Sequence, residues 1–544
     1  MADPHPASSP AVVSPWSPLG QPLFRALWIA TVISNIGTWI HEVGAGWLMV
    51  TLDPHPVMVS LVQAATALPI FLLALPGGAL ADIVDRRRYL IVTQLWMLLV
   101  AVLLAVFTAL GWINAWALLV FTFALACGAA LNTPAWAATV PELVPRAQLP
   151  AAIALNSLGI NLARAVGPAM AGVLVAAAGP QAAFLLNALS FVVVIVVLAR
   201  WRRETRPSTL PAERFFGAMR AGLRYVREAV ALQCVMARAA AFFLFATATW
   251  ALLPLVARNT GGGADSYGLL LAGIGLGAVS AAMVMPRLRR RFARDVLVRG
   301  ATVLYAAATV GIALADSMAL LLPAMLAGGA AWLAVLSTLH VSAQTAVPQW
   351  VRARALSAYL MVYAAGMTGG AVLWGAAAAR WGVPAALMLA AAGAVLAMSA
   401  TWRLSLGGED GLSRTEPAAL LLPHPQHHAE IAPERGPVAV HVEYRITPAD
   451  AADFVAAAQA MQRIRRRDGA LSWGLFEDAA VSGRYVETFV VESWAEHLRQ
   501  HHRGTAEDAA VVTRLRAFHR GDGPPPVTHW VAVNAADHAG DEAV

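Results

Sequence analysis

Two ionisable side chains stand where a sequence this apolar should have none. Glu42, in the run Trp39-Ile40-His41-Glu42-Val43, and Arg164, in Ala163-Arg164-Ala165-Val166, both fall inside long apolar stretches. A charge at such depth in lipid is expensive, which makes it a functional candidate by default. Glu42 can take up and release protons, bind a cationic substrate, or sit hydrogen-bonded in an outer vestibule. Arg164 can pair with Glu42, bind an anionic substrate, or link two helices. Asn35, Thr38 and Glu42 recur at i, i+3 and i+7, so they share one helix face, and that face is expected to form a cavity wall. A rise of 1.5 Å per residue puts Glu42 about 25 Å along the helix from Arg25, in its outer half. His41 points about 100° away from Glu42 and reads as structural or interfacial. Asn132, Asn156, Asn161, Gln63, His340 and Gln344 read more readily as glue between helices than as ligands.

These residues need helices that span lipid. Of 544 residues, 58% are hydrophobic and 13% charged, and the mean hydropathy is +0.61. A soluble chain is about 25% charged, so a purely soluble enzyme, a disordered scaffold and a fibrous protein are excluded. Cys127 and Cys234 are too few for a disulfide framework; both read as packed thiols. A bilayer core needs about 20 apolar residues per helix. Runs of that kind are expected near 24–51, 57–81, 89–110, 116–138, 152–177, 182–200, 237–257, 266–286, 297–315, 319–344, 355–379 and 384–403.

Charge orders the connections between them. One alternating set holds Arg86–Arg88, Arg146, eight arginines from Arg200 to Arg227, six from Arg287 to Arg299, and Arg352 with Arg354, or 20 in all. The other set holds only Arg258 and Arg380. Arginine resists translocation, so the first set and both termini are expected in the cytoplasm. The basic excess therefore serves topology, and no nucleic-acid partner is expected. The chain also repeats: Val140-Pro141-Glu142-Leu143-Val144-Pro145-Arg146 precedes the fifth span, and Val347-Pro348-Gln349-Trp350-Val351-Arg352 precedes the eleventh. Between the sixth and seventh spans, Phe215, Phe216, Met219, Leu223, Tyr225 and Val226 alternate with arginines at helical spacing, as in an amphipathic surface helix.

Beyond residue 437 the composition turns soluble, with 11 Arg against 15 Asp and Glu. Val438–Ile446 alternates as a strand. Thr447-Pro448 opens a helix running to about Arg467. Strands near 471–477 and 484–492, helices near 493–503 and 506–519, and a strand over Val527–Val533 complete a ferredoxin-like plan. His441, Trp473, His501 and His502 can line a pocket in it. The prolines around His424, His427 and His428 read as a linker rather than a metal site.

The expected fold is an all-α polytopic membrane protein of 12 transmembrane helices in two six-helix halves, with a C-terminal α+β ferredoxin-like domain. The expected boundaries are an N-terminal cytoplasmic tail (1–22), a first half (23–200), a cytoplasmic amphipathic linker (201–231), a second half (232–404), a disordered linker (405–436), the ferredoxin-like domain (437–534) and a final tail (535–544). Two such halves suit a transporter with its path between them. With no Gly-rich phosphate loop carrying a lysine, the energy is expected from an ion gradient, most simply protons. No metal, cofactor or catalytic residue is expected.

Gly78-Ala79-Leu80-Ala81-Asp82-Ile83-Val84-Asp85-Arg86-Arg87-Arg88 resembles the loop signature of the major facilitator superfamily, with Ile83 and Asp85 departing from it. The resemblance implies a gating loop in which Gly78 permits close packing, Asp82 meets a helix N-terminus, and Arg86 and Arg87 bridge to acidic groups or phosphates. Gly167-Pro168-Ala169-Met170-Ala171-Gly172 looks like that superfamily's exporter motif, which bends a helix against a mirror partner. Gly366, Gly369 and Gly370 are the expected partner. Ala124 stands ahead of Gly128 where drug–proton antiporters place arginine, so their relay does not carry over. Residues 20–405 most resemble the branch of enterobactin exporters and transmembrane secretion effectors. The tail resembles antibiotic-biosynthesis-monooxygenase domains, which usually dimerise. The resemblance implies proton-driven export of a siderophore-like or amphipathic small molecule. The alternatives are a membrane-tethered protein whose tail binds or modifies the compound, and a lipid flippase.

Overall fold

The computed structural model describes residues 14–201, 224–348, 351–407, 431–501 and 503–533. Among them, twelve helices are long and apolar enough to cross a membrane. They are α1 (Pro22–Leu52), α2 (Pro56–Ile83), α3 (Arg86–Ala109), α4 (Ala115–Leu143), α5 (Leu149–Ala178) and α6 (Pro180–Arg200), then α7 (Val230–Asn259), α8 (Ala264–Arg291), α9 (Arg294–Leu314), α10 (Met318–Thr345), α11 (Arg352–Trp381) and α12 (Val383–Ala400).

Local chemistry sets many of the ends. Proline occupies the first turn of α1, α2, α5, α6 and α12, where its missing N–H costs nothing. Asp85 and Asn114 cap α3 and α4 through Arg88 N and Ala117 N at 2.9 Å each. Gly179 (φ 79°) turns α5 into α6, and Gly382 (φ 85°) turns α11 into α12. Both adopt backbone that L side chains avoid. The fourth span outruns its expected end: α4 continues through Pro134 and Pro141 to Leu143. A membrane helix tolerates such prolines when neighbours satisfy the freed backbone groups.

The chain divides into two compact units. In the first, one buried core takes residues from all twelve helices, including Val43, Met49, Val59, Leu104, Leu118, Val175, Phe184, Leu252, Leu270, Ile312, Leu321, Trp374 and Leu387. Each belongs to the end of its helix away from the arginine-rich connections. At the opposite end, separate clusters gather Leu27, Leu90, Ala135, Val194 and Leu198, and Phe24, Val140 and Leu155. These two clusters belong to α1 and α3–α6, with Trp201 and Val144 just beyond α6 and α4.

The second unit holds a four-stranded antiparallel sheet: β1 (Val438–Arg445), β2 (Ser472–Glu477), β3 (Arg484–Val491) and β4 (Val527–Val531), in the order β2-β3-β1-β4. Helices α13 (Ala451–Asp468), α14 (Trp494–His501) and α15 (Ala506–Phe518) complete it. Alternate residues Val438, Val440, Val442 and Tyr444 are buried with Phe454, Met461, Phe489 and Leu515, the period-two pattern of a sheet covered on one face. The opening of α13 differs from expectation. Pro448–Asp450 form a 3₁₀ turn, and Thr447 makes no capping bond. The cap instead appears at α15, where Thr505 and Asp508 form a reciprocal box.

The expected amphipathic helix lies outside the described residues up to 223, and a helical turn follows at 224–228. His424, His427, His428 and His502 also lie outside them.

Candidate functional site

Glu42, Asn35 and Thr38 are all half-buried on one face of α1, as their spacing requires. The Thr38 hydroxyl donates to Ser34 O at 3.0 Å, so it serves its own helix. Glu42 interacts electrostatically with Arg164 of α5, Tyr267 of α8 and Tyr363 of α11. Arg164 likewise interacts with Tyr363. Its guanidinium carbon lies 5.9 Å from the Trp39 ring centre, a distance at which the ring's negative face attracts a cation. The structure thus brings Glu42 and Arg164 into one region.

An aromatic wall continues from there. Trp39 lies 6.4 Å from Trp250 of α7, and Trp250 lies 5.2 Å from Trp332 of α10. Phe243 touches Trp332 at 5.4 Å and Tyr363 at 4.6 Å between ring centres. The charges come from the first six helices, while most of the rings come from the last six. Sequence reasoning missed Tyr267, Tyr363, Trp250 and Trp332. Their signal was position: Trp and Tyr usually collect at the membrane interface, and Tyr363, Trp250 and Trp332 stand well inside their apolar runs, whereas Tyr267 opens its run and carried no such signal.

Close packing fixes this seam. A Cβ on Gly167 would lie 2.6 Å from Trp39 Cβ, and one on Gly172 would lie 3.0 Å from Ala264 O. From the other side, a Cβ on Gly268 would lie 2.6 Å from Pro168 O, and one on Gly275 would lie 2.5 Å from Arg164 O. The partner of the Gly167-Pro168-Gly172 motif is therefore α8, which corrects the expectation of α11. Gly268 and Gly275 stand two turns apart on one face, and the absence of a side chain at both lets the two backbones approach so closely. Gly366 and Gly370 face Phe243, Leu244 and Thr247 of α7 instead.

His41 turns away from Glu42. It is 3% exposed and packs on Phe184 of α6 at 4.9 Å between ring centres. Asn132 accepts from Thr93 at 3.1 Å and from Gln94 at 3.4 Å, bonds that join α3 to α4. Asn161 donates to Ser157 O within α5.

In the predicted gating loop, Arg86 pairs with Glu142 at 2.6 Å and donates to Ala138 O. Arg87 donates to Leu198 O at 2.9 Å and Ala199 O at 2.7 Å, satisfying carbonyls that the end of α6 leaves open. Gly78 does not make the close contact expected of it: a Cβ there would meet open space. Gly77, one step round the helix, faces Leu131 of α4. The Asp82 side chain lies outside the described residues. A counterpart that sequence reading missed stands in the last six helices. Arg238 pairs with Asp295 at 2.9 Å and donates to Thr401 O and Trp402 O. Arg299 donates to Trp402 O at 2.8 Å and lies 3.8 Å over that ring.

Of the residues expected to line a pocket in the tail, Trp473 does so. A groove formed by Val455, Gln459, Gln462, Trp473, Leu475, Glu477 and Tyr485 runs between α13 and the β2 edge. The Trp473 indole donates to the buried Glu487 at 3.0 Å, and Glu487 also takes Arg465 at 3.0 Å. His441 lies elsewhere, with its ring 6.3 Å from Trp530. Among the described residues, no cluster of three His, Cys, Asp or Glu side chains could hold a metal.

Comparison with known proteins adds a family to this geometry. The sequence profile described as transmembrane secretion effector matches residues 13–537. The Staphylococcus aureus staphyloferrin A transporter is 29% identical over 163 residues, which is 30% of this chain and 41% of that protein. The uncharacterized MFS-type transporter YfiS of Bacillus subtilis is 26% identical over 65% of this chain and 88% of its own length. The enterobactin exporter EntS of Salmonella typhimurium is 26% identical over 60% of this chain and 79% of its own. Among solved structures, a mutant of the nucleoside transporter NupG aligns with a TM-score of 0.57 at 13% identity, over 70% of this chain and 98% of that one. A bacterial Spinster homologue in an inward-facing, unoccupied conformation aligns at 0.53 and 17%, over 70% and 93%.

Proposed function

This chain belongs to the transmembrane secretion effector family of major facilitator transporters, and on that premise we propose that it exports an amphipathic, siderophore-like small molecule by proton antiport. The observation that carries the reading is the seam. Glu42 and Arg164 stand at intramembrane depth on one half and face the rings of the other. A carboxylate there can exchange its proton for substrate. A guanidinium beside it can hold an anionic headgroup, while the aromatic wall takes the apolar part. The relatives named for staphyloferrin A and enterobactin support that substrate class.

Alternating access supplies the route. Among the described residues, a core through all twelve helices at one end, with clusters confined to the first six helices at the arginine-rich end, supports a bundle closed outside and parted inside. The arginine bias supports a cytoplasmic location for that parted end and for both termini in a bacterial inner membrane. Asn35 and Thr38 line the path beside Glu42. Arg86 and Arg87 latch the loop between α2 and α3. The tail dimerises through the sheet face opposite its helices, where Trp530 and Phe476 are 62% and 61% exposed.

Inverted membrane vesicles test the reading, with enterobactin and staphyloferrin A as separate probes. An imposed proton gradient should drive uptake of at least one probe, and Glu42→Gln should abolish the gradient dependence in a protein that still folds. Gradient-driven uptake unchanged in Glu42→Gln would remove that carboxylate from the mechanism. Lipid scrambling without probe uptake would favour the flippase reading.

A further inference from the structure

The tail carries a second built feature, away from its groove, where α13 ends and α15 begins. Arg467 pairs with Asp468 at 2.8 Å and with Asp508 at 2.7 Å. Asp508 also closes the capping box with Thr505. Arg503 donates to Asp468 O at 2.6 Å and pairs with Glu496 at 2.6 Å. Asp468, Arg503, Thr505 and Asp508 are all at most 4% exposed. Buried charges so completely paired form a stiff frame, because moving one member strands the others.

A residue distant in sequence sits in that frame. Tyr225, in the segment joining the two six-helix halves and just ahead of α7, is 4% exposed, and Val226 beside it is 9% exposed. The Arg467 guanidinium carbon lies 5.8 Å from the Tyr225 ring centre. Asp468, Asp508 and Glu507 also act on the phenol, and burial pushes its pKa up. A tyrosine ring buries about 150–250 Å², so withdrawing it from this cradle carries a definite cost.

We propose that the tail is a brake, clamped by its ion-paired cradle onto Tyr225 of the segment between the two halves. Docked, the tail holds the segment just ahead of α7 and restrains the motion of α7 relative to α6. Released, it frees that motion. The inference goes beyond substrate export: it assigns the soluble domain a regulatory contact whose partner is this chain's own linker.

Hydrogen exchange on the full-length protein in lipid nanodiscs tests the clamp, comparing wild type, Tyr225→Ala and Tyr225→Phe. Tyr225→Ala should lose at least about tenfold in protection over 463–468 and 505–508. Strands β1 and β3 should keep theirs, and Tyr225→Phe should retain wild-type protection, since the ring makes the contact. Equal protection in wild type and Tyr225→Ala would overturn the clamp. Spin labels at Ala154 and Arg287, with Cys127 and Cys234 replaced, test the brake by the distance between the arginine-side ends of α5 and α8. Tyr225→Ala should broaden that distribution, and an unchanged one would overturn the restraint. Neither readout uses a transported substrate, so a failure of the export reading would appear separately in the vesicle assay.

Discussion

The two halves of the transport unit are alike in scaffold and unlike at the seam. Both turn their fifth helix into their sixth on a positive-φ glycine, Gly179 and Gly382, followed by Pro180 and by Pro384. Both close the end of that sixth helix with arginine: Arg87 on Leu198 and Ala199, Arg238 and Arg299 on Thr401 and Trp402. At the seam the likeness ends. The first half brings Glu42 and Arg164, and the second brings Tyr267, Tyr363, Trp250 and Trp332. Repetition solves a folding problem common to both halves: satisfying helix ends and turning tightly. Chemistry needs only one charged face, and a second opposing it would double the burial cost.

The sharpest way to break this contrast is to neutralise the charged half. Glu42→Gln and Arg164→Gln should each lower gradient-driven enterobactin or staphyloferrin A transport more than tenfold, about 1.4 kcal/mol or more. Size-exclusion profiles in detergent should be unchanged. Equal losses on removing the Trp250 ring would show that charge and aromatic wall are not distinct in kind.

The expected effect on the aromatic half is smaller. Trp250→Ala and Tyr363→Ala should raise KM about three- to tenfold while leaving the dependence on the proton gradient in place, because stacking contributes about 0.5–1.5 kcal/mol per pair. Initial-rate uptake at several probe concentrations separates this from a loss of coupling.

Much of this was legible in the residues. The twelve apolar runs and the strand–helix order of the tail are written in periodicity and length, since lipid and sheet each impose one pattern. Glu42 stood out because a carboxyl in an apolar run has few structural excuses. The pairing of α5 with α8 was hidden. Gly268 and Gly275 lie in a segment that also carries Gly273 and Gly277, and composition alone does not say which neighbour meets which glycine. Arg238 was hidden as well, because a single arginine near the start of a span reads as a topology marker until Asp295 is seen beside it.

That pair sets up the next prediction. Arg238 and Asp295 have side chains 4% and 21% exposed, whereas Arg86 and Glu142 are 25% and 26% exposed. Removing one partner of a buried pair strands the other charge and costs about 3–5 kcal/mol. Arg238→Ala should therefore lower the thermal unfolding midpoint of the detergent-solubilised protein clearly, and Asp295→Ala should do the same through the stranded guanidinium. Joint replacement by Met and Leu should recover part of the loss.

The gentlest test falls on the more exposed ion pair of the first half, between α3 and α4. Water reaches both Arg86 and Glu142, so their ion pair at 2.6 Å is worth about 0.2–1 kcal/mol. Arg86 also donates to Ala138 O at 3.2 Å, a carbonyl in the final turns of α4. Arg86→Ala should shift the unfolding midpoint by far less than Arg238→Ala, and added salt should shrink the difference further. If the two variants destabilise the protein equally, the halves are held by equivalent clamps, and the asymmetry seen at the seam does not extend to the helix ends. A small effect on stability together with a change in transport rate would place Arg86 in the moving part of the loop. Arg238, paired with Asp295 in the second half, would then belong to the fixed frame.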